Sequence, residues 1–184
     1  MADVKILVHV CCGPCAVYPL QALRTKGYEV EGYFFNPNIH PFQEFQRRIN
    51  ALKELTAIEN FPVDFDDTYG LQEYLRQVVF NEKERCSICY DMRLARVARK
   101  AEEKGFDAFT STLLYSTYQN HGQIKKKGEQ LALDNGVEFY YEDFRSGWQE
   151  GIDRSKEMGL YRQPYCGCIY SEQERYDPKM RKRK

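Results

Sequence analysis

The sequence predicts a single α/β domain with a mostly parallel β-sheet and helices on both faces. Short apolar segments alternate with segments of helical periodicity about five times, a pattern typical of parallel sheets. The chain has 184 residues, the size of one domain with a full core, and no linker or internal repeat divides it. We expect residues 1–178 to form this domain and the basic residues 179–184 to form a mobile tail.

The first half of the chain predicts three strands, each followed by a helix. Residues 4–10 are nearly all apolar, as expected for a strand covered on both faces. Ala16, Val17, Leu20 and Leu23 then recur at helical spacing, and Gly27 is a suitable C-terminal stop. The further elements predicted here are a strand at 30–35, a helix at 42–58, a strand at 62–65 and a helix around 71–78.

The second half continues the same alternation. Leu94, Val97, Ala98 and Ala101 predict a helix up to Gly105, which places Cys86 and Cys89 at or just inside its N-terminus. The other predicted elements are a strand at 108–114, a helix at 118–133, a strand at 137–144, a short helix ending near 158–159 and a loop at 165–168.

Composition limits the compartment and the partners. No apolar stretch approaches the ~18 residues that a membrane span requires, and residues 1–5 lack the layout of a secretory signal. We therefore expect a cytoplasmic protein with no membrane partner, whose thiols stay reduced. The net charge is zero, so a nucleic-acid partner would depend on local basic patches.

All seven cysteines fall in three clusters along the chain. The first cluster follows the apolar strand at residues 4–10, and the carboxyl ends of parallel strands are where α/β folds bind ligands. Thiols that serve packing would be scattered singly along core positions. The grouping predicts a metal or redox site assembled from Cys11, Cys12, Cys15, Cys86, Cys89, Cys166 and Cys168.

Three readings of the first two clusters remain open. An iron–sulfur cluster needs thiolates that converge from different segments, and Cys11, Cys12, Cys86 and Cys89 could supply four. The run from Cys12 to Cys15 also has the spacing of a thioredoxin-type dithiol, to which Cys11 adds an unneeded third thiol. A structural zinc site is the third option, in which four of the thiols would suffice. A packing role for Cys15 is as plausible as a functional one.

The third cluster is the tightest. The thiols of Cys166 and Cys168 are too close in sequence for a relaxed disulfide. A bond between them would be strained, and strained disulfides are labile and redox-active. The alternative is that both thiols are additional metal ligands.

Taken together, these residues resemble the QueH family of epoxyqueuosine reductases. The segment at 111–121 also looks like the strand-to-helix region of Rossmann-like folds of the nucleotide α-hydrolase (PP-loop) type. The phosphate-binding loop of those folds is replaced by Cys11 to Pro14, which argues against the use of ATP. The pieces that carry the resemblance are His9 to Cys15, Cys86 to Arg93, Ser111 to His121 and Tyr165 to Cys168.

The resemblance implies a reaction, its cofactor and its partners. The reaction is the two-electron deoxygenation of epoxyqueuosine to queuosine at the wobble position of tRNA, with electrons from an external donor. The implied cofactor is a [4Fe–4S] cluster on Cys11, Cys12, Cys86 and Cys89, with room for an additional iron ion nearby. A redox pair at Cys166 and Cys168 is implied as well.

The remaining candidate residues would supply protons or hold RNA. Protons could come from Asp91, His9, Tyr118 or His121, and a hydrogen-bonded structural role is at least as plausible for each. Basic residues that could contact phosphate, or simply solvate the surface, are Arg93, Arg96, Lys100 and Lys104, Lys125 to Lys127, and the tail from Lys179 to Lys184.

Overall fold

Five parallel strands form the single sheet of the computed structural model, which describes residues 4–181. The strands are β1 (Lys5–His9), β2 (Glu29–Phe35), β3 (Val63–Asp66), β4 (Ala108–Ser111) and β5 (Glu138–Phe139). They lie in the order β3-β2-β1-β4-β5, so β1 is central and pairs with both β2 and β4. The predicted α/β class, of the Rossmann and PP-loop type, is confirmed.

Helices cover the sheet in two groups. The helices are α1 (Gly13–Thr25), α2 (Phe42–Glu59), α3 (Leu71–Val78), α4 (Arg85–Lys104), α5 (His121–Asn135), α6 (Trp148–Glu157), α7 (Ile169–Tyr176) and α8 (Pro178–Arg181). Helix α1 packs against α2 and α6, while α4 packs against α5. Since parallel crossovers are right-handed, the reversal of strand order after β3 places these groups on opposite faces. None of the helices within residues 4–181 is long and apolar enough to cross a membrane.

The switch in strand order between β1 and β4 is the feature that positions the site. Ile6 to His9 of β1 pair in register with Ala108 to Ser111 of β4. Both strands end at the same edge of the sheet, and one leads into α1 while the other leads into a 3-10 turn at Thr112–Tyr115. A crevice beyond such a switch point is where open α/β sheets bind ligands.

Strands β4 and β5 are shorter than predicted. The strand predicted at 108–114 ends at Ser111, because the Ser111 hydroxyl accepts a hydrogen bond from the amide of Leu113 and starts a 3-10 turn. Of the strand predicted at 137–144, only Glu138–Phe139 forms a strand. Farther on, Asp143 accepts from the amide of Arg145 and caps a second 3-10 turn. The Ser111 turn therefore ends β4, and the Asp143 turn takes residue 144 out of the range predicted for β5.

The helix predictions differ mainly at their ends. Helix α4 includes both Cys86 and Cys89 in its first turns, as predicted, and ends at Gly105 in the left-handed conformation. Helix α5 begins at His121 rather than at 118, because the Asn120 side chain caps the amide of Gln123. Helix α7 has no counterpart in the sequence prediction. Of the tail predicted to be mobile, residues 179–181 lie in α8, and residues 182–184 lie outside the described residues.

Gly13 lets the first turn of α1 approach α2 closely. A methyl group at this position would lie 2.4 Å from the carbonyl oxygen of Ala51, a rigid backbone atom. Gly122, in the first turn of α5, is the opposite case, since the nearest atom to a methyl there is Asn120 Oδ1 at 3.5 Å. The close approach at Gly13 fixes the helix that carries Cys15 against the rest of the domain.

We predict that Gly13→Ala lowers the free energy of unfolding by about 1–3 kcal/mol, the usual cost of overpacking a core. Gly122→Ala is the matched control, and alanine's helix preference should leave that variant as stable as the original protein or slightly more stable. Urea unfolding of the reduced, metal-free proteins measures both. Equal stability of the two variants would contradict the close packing described for Gly13.

Candidate metal and redox site

The structure gathers the first three cysteines into one buried triad. Cys11 and Cys12 follow β1, Cys15 lies in the first turn of α1, and all three side chains are buried. Their sulfur atoms lie within 4.8 Å of one another, with 3.8 Å between those of Cys11 and Cys12. Three converging thiols are a suitable donor set for a soft metal ion or an iron–sulfur group. Cys15, undecided from sequence, therefore belongs to this group.

Polar groups from the 3-10 turn after β4 and from the C-terminal region hold the triad in place. The Thr112 hydroxyl oxygen accepts from the amide of Cys11 at 3.3 Å, and the hydroxyl donates to the Cys11 sulfur at 3.5 Å. Gln163 Nε2 donates to the Cys15 sulfur at 3.0 Å. The triad is thus fastened to segments that lie about a hundred residues or more farther along the chain.

The pKa values of the three thiols are shifted in different directions. Hydrogen bonds from Cys12 and Cys15 lower the pKa of Cys11 well below its usual value, against the effect of burial. Burial raises the pKa of Cys12, and the hydrogen bond to Cys11 raises that of Cys15. Cys11 is therefore the first thiol of the triad to ionise, and its thiolate is the nucleophilic and metal-binding form.

The other four cysteines form a second group. Cys86 and Cys89 lie one turn apart in α4, and Cys89 shares a small buried cluster with Cys168, Tyr74 and Val78. Cys86 and Cys166 are exposed. Burial raises the pKa of Cys86 and raises that of Cys89 to about 12, and the negative charges of Cys166 and Cys168 add to both shifts. The second and third sequence clusters thus meet at one place.

A buried ion pair fastens the loop that carries Cys166 and Cys168. Arg48 donates from Nη1 to the carbonyl oxygen of Cys166 at 2.8 Å and from Nη2 to that of Tyr165 at 2.9 Å. Its Nε donates to Glu44 at 2.8 Å, and the second oxygen of Glu44 accepts from Tyr161 at 2.5 Å. Both members of the ion pair are buried. The loop is therefore anchored to α2 through its backbone and not through its thiols.

The two thiols of this loop have different surroundings. Cys168 is the N-cap of α7, and its sulfur accepts from the amide of Ser171 at 3.4 Å. The exposed sulfur of Cys166 accepts from Gln119 Nε2 at 3.2 Å, and Gln119 in turn accepts from the Tyr90 hydroxyl. No disulfide joins any of the seven cysteines, all of which lie within the described residues, and the redox pair at Cys166 and Cys168 stays a prediction.

His9, a predicted proton donor, is fully buried between β2 and β4. The Phe35 carbonyl oxygen can only accept, so His9 Nε2 donates to it at 3.0 Å. Nδ1 then accepts from the Ser111 hydroxyl, also at 3.0 Å. Burial lowers the pKa of His9 to about 4, assisted by the charge of Arg93. His9 is neutral at pH 7, and both of its nitrogens are engaged in tying strand ends together.

The other three proton-donor candidates lie in separate places. Asp91 is exposed, and Lys127 Nζ contacts it at 2.6 Å. Tyr118 is 83% exposed and makes an edge-on contact with Trp148, with ring centroids 6.0 Å apart. His121 is buried at the start of α5, with Nδ1 3.9 Å from a carboxylate oxygen of Asp143, and burial lowers its pKa. None of the three has a hydrogen bond to a thiol within the described chain.

The basic face predicted on α4 is mostly paired or buried. Arg93 is 2% exposed, so its prediction as a phosphate contact is wrong; it lies on the same helix face as the buried Cys89 and Val97, four residues away on either side. Arg96 pairs with Asp66 at 3.5 Å, and Lys100 and Lys104 both pair with Asp64. Arg99 is exposed and forms no ion pair with any residue of 4–181.

An open groove lies beside the second thiol group. It begins at the carboxyl ends of β2 and β3 and runs between α3 and α4, past Asp91 and Met92, which follow Cys89 in α4. The charged residues that line it carry both signs: Asp66, Glu73, Asp91, Arg96 and Arg99. The groove opens at the carboxyl edge of the sheet, where α/β folds bind ligands.

Several residues of the site were not recognised from the sequence. Arg48 and Glu44 lie at i, i+4 on a predicted helix, and that spacing does not distinguish an exposed ion pair from a buried one. Gln119 and Thr112 fall inside the 111–121 segment that carried the family resemblance, but no local pattern gave either a partner. Their partners come from distant segments, which periodicity does not report.

Solved structures support the fold. A chain described as a predicted subunit of a tRNA methyltransferase from Methanocaldococcus jannaschii aligns with 84% of this chain and 75% of its own length. The TM-score is 0.56 and the sequence identity is 12%. The likeness at this identity concerns the backbone architecture.

Curated relatives match nearly the whole chain. A protein from Dehalococcoides mccartyi named epoxyqueuosine reductase QueH is 40% identical over 172 residues, which is 94% of each chain. Proteins of the same name from Streptococcus pyogenes and Thermotoga maritima are 37% and 34% identical, over 91% and 92% of this chain and 70% and 91% of their own. The family model described as epoxyqueuosine reductase QueH matches residues 6–174. The chain therefore belongs to the QueH family of epoxyqueuosine reductases.

Proposed function

We propose that this chain reduces epoxyqueuosine to queuosine at the wobble position of tRNA by means of an iron–sulfur centre and a redox-active dithiol. The observation that carries the proposal is that free thiols from three distant segments gather in two groups, the triad at the end of β1 and the group around Cys89 and Cys168. Membership of the QueH family supplies the substrate.

The proposed reaction balances with the groups available. Removal of the epoxide oxygen as water, with formation of a carbon–carbon double bond, requires two electrons and two protons. Closing the dithiol of Cys166 and Cys168 to a disulfide releases two electrons and two protons. An external donor, the proposed source of reducing equivalents, must then return the disulfide to the dithiol before the next turnover.

The proposed ligands of a [4Fe–4S] cluster are Cys11, Cys12, Cys86 and Cys89. Such a cluster supplies single electrons when it is bound. The residues fit an anionic, sulfur-ligated group, because the triad offers converging thiols and the buried guanidinium of Arg93 has no carboxylate partner within residues 4–181. Cys15 is not among these four ligands, and its thiol would be available to an additional iron ion beside the cluster.

The dithiol is proposed to work as an exchangeable pair with unequal exposure. Cys166 is open to solvent, whereas Cys168 is buried and caps α7. A reductant would reach Cys166 first, and the Cys168 sulfur would leave the Ser171 amide when the bond closes. Arg48 holds the carbonyl oxygens on the N-terminal side of the loop and so keeps the backbone in place.

Proton delivery and RNA binding are assigned to the open side of the site. Asp91 lines the groove beside α4 and is the proposed proton donor nearest to Cys89 in the helix, with Tyr118 and His121 as further candidates. His9 is neutral and doubly hydrogen-bonded, which suits a positioning role. The groove is the proposed seat of the anticodon nucleotide, with Arg99 contacting phosphate.

Cysteine substitutions test the ligand assignment. We predict that Cys86→Ser and Cys89→Ser lose iron, sulfide and activity together, because both thiols donate to the cluster. Cys15→Ser should retain the cluster, although its sulfur lies in the triad. Iron and sulfide analysis after anaerobic purification, with an absorption spectrum, measures each variant. Retention of the cluster in Cys86→Ser, with loss in Cys15→Ser, would instead place the centre on the triad.

The dithiol has a separate test. We predict that Cys166→Ser and Cys168→Ser retain iron but perform no more than a single turnover, because neither can form the disulfide. In the unaltered protein, thiol counting after one turnover should give two fewer free thiols, and mass mapping should locate the new bond between these two residues. Loss of iron in both variants would show that the pair ligates metal, and normal turnover in both would remove the dithiol from the reaction.

Salt dependence tests the RNA surface. Affinity for tRNA should fall steeply with salt, because counterions released from phosphate drive binding to basic groups. Arg99→Ala should weaken binding for all tRNA sequences and reduce the salt slope by about 1. Lys125→Ala, which removes a basic residue from α5 that already pairs with Glu129, is the control. A larger effect at Lys125 than at Arg99 would move the RNA-binding surface to α5.

A further inference from the structure

Arg93 is a buried cation with unused hydrogen-bonding capacity. Its Nε donates to the carbonyl oxygen of Cys89, one turn earlier in α4, at 3.3 Å. Its Nη2 is buried and has no hydrogen-bond partner among residues 4–181. No Asp or Glu carboxylate in that part of the chain lies within 4.0 Å of the guanidinium nitrogens. The charge of Arg93 is therefore not balanced by any acidic side chain.

Arg48 is a buried guanidinium whose charge is balanced by a carboxylate. Arg48 is as buried as Arg93, but Glu44 neutralises its charge at 2.8 Å. All three of its side-chain nitrogens donate hydrogen bonds, two of them to backbone carbonyl oxygens. The two arginines are equally buried, and they differ in that Arg93 has no carboxylate partner among residues 4–181.

The ionisable groups that act on Arg93 are mostly thiols. Burial opposes the charge of Arg93, but the negative charges that Cys89, Cys166 and Cys11 carry when ionised raise the pKa of its guanidinium. Each of these cysteines comes from a different sequence cluster. Conversely, the positive charge of Arg93 favours the thiolate forms of Cys11 and Cys89. Arg93 thus lies within electrostatic range of all three clusters at once.

An uncompensated buried charge is costly. The effective penalty for burying an ion is several kcal/mol, and breaking a buried pair costs about 3–5 kcal/mol. A guanidinium with an open Nη2 can recover this cost when thiolates or a thiolate-ligated centre supply the negative charge. Burial of the Arg93 charge therefore costs less when the sulfur site is anionic than when it is neutral.

We infer that Arg93 is the fixed countercation of the sulfur site, which stabilises the negative charge of thiolates from all three clusters and sets the reduction equilibrium of the centre they hold. This inference rests on the proposed function, because it requires that the thiols act as an anionic centre. Arg93 is a positioning residue in this role, acting on the site through charge and not through contact with RNA.

The test compares the loss of charge with the loss of shape. Arg93→Met removes the charge and keeps most of the side-chain length, Arg93→Lys keeps the charge, and Arg99→Met removes an exposed charge from the same helix. Cadmium, a thiolate-binding metal with a sulfur-to-metal absorption band, is titrated into the reduced, metal-free proteins against a competing chelator. After iron and sulfide reconstitution, the midpoint potential of the centre is measured for each variant.

We expect Arg93→Met to bind cadmium at least tenfold more weakly than the unaltered protein, with Arg93→Lys within threefold and Arg99→Met unchanged. The one-electron reduction equilibrium should shift about tenfold toward the oxidised form in Arg93→Met, which corresponds to about 59 mV more negative. A reduced centre carries one more negative charge, so removal of the adjacent cation disfavours it.

Two results would overturn the inference. The first is a cadmium affinity and a midpoint potential in Arg93→Met that equal those of Arg99→Met. The second is an equal loss of cadmium affinity in Arg93→Met and Arg93→Lys, which would indicate that Arg93 serves packing. If Arg93→Met does not fold by circular dichroism, Arg93→Gln replaces it in the same comparison. The proposed function fails separately, if the unaltered protein takes up no iron and sulfide. If the reconstituted protein is active and Arg93→Met changes neither cadmium affinity nor midpoint potential, this inference alone is refuted.

Discussion

The buried ion pair between Glu44 and Arg48 is the interaction on which the assembled site depends. It joins α2 to a loop 118 residues later in the chain, and it does so through the carbonyl oxygens of Tyr165 and Cys166. Because both charges are buried, removal of either partner would leave the other uncompensated, at a cost of about 3–5 kcal/mol. The His40 amide, which donates to the carbonyl oxygen of Gly167 at 2.8 Å, completes the attachment.

Side chains that form turns at the edge of the sheet also hold the thiol site in place. Ser111 ends β4 by accepting from Leu113, and its hydroxyl also holds His9. Thr112, the next residue, contacts both the amide and the sulfur of Cys11. Cys168 caps α7 with the same sulfur that is proposed to enter a disulfide. In each case, the side chain that terminates or begins an element also orients the thiol site.

The sequence predicted the parts of the structure that depend on local patterns. The buried strand before Cys11, the helix beginning around Cys86 and the α/β class followed from apolar periodicity and glycine positions. The lengths of β4 and β5 did not follow from these patterns; β4 ends at Ser111 because its side chain forms a turn that competes with the strand. Arg93 was placed on the surface because helical spacing does not reveal what buries a charged residue. The grouping of Cys15 with Cys11 and Cys12 needed coordinates, since a CxxC spacing suits packing, redox and metal sites alike.

The strand order has a consequence for how the protein is made. Strand β1 takes its second neighbour from residues 108–111, and the last thiols arrive with residues 166 and 168. A chain emerging from the ribosome at about 5–20 residues per second therefore presents Cys11, Cys12 and Cys15 to the surrounding solution well before Thr112 or the Arg48-anchored loop can shield them. The complete sulfur site cannot nucleate folding, since it forms only when contacts of the longest sequence separation close. The interval before these contacts close is when the nascent thiols are most open to oxidation or to the capture of a metal ion.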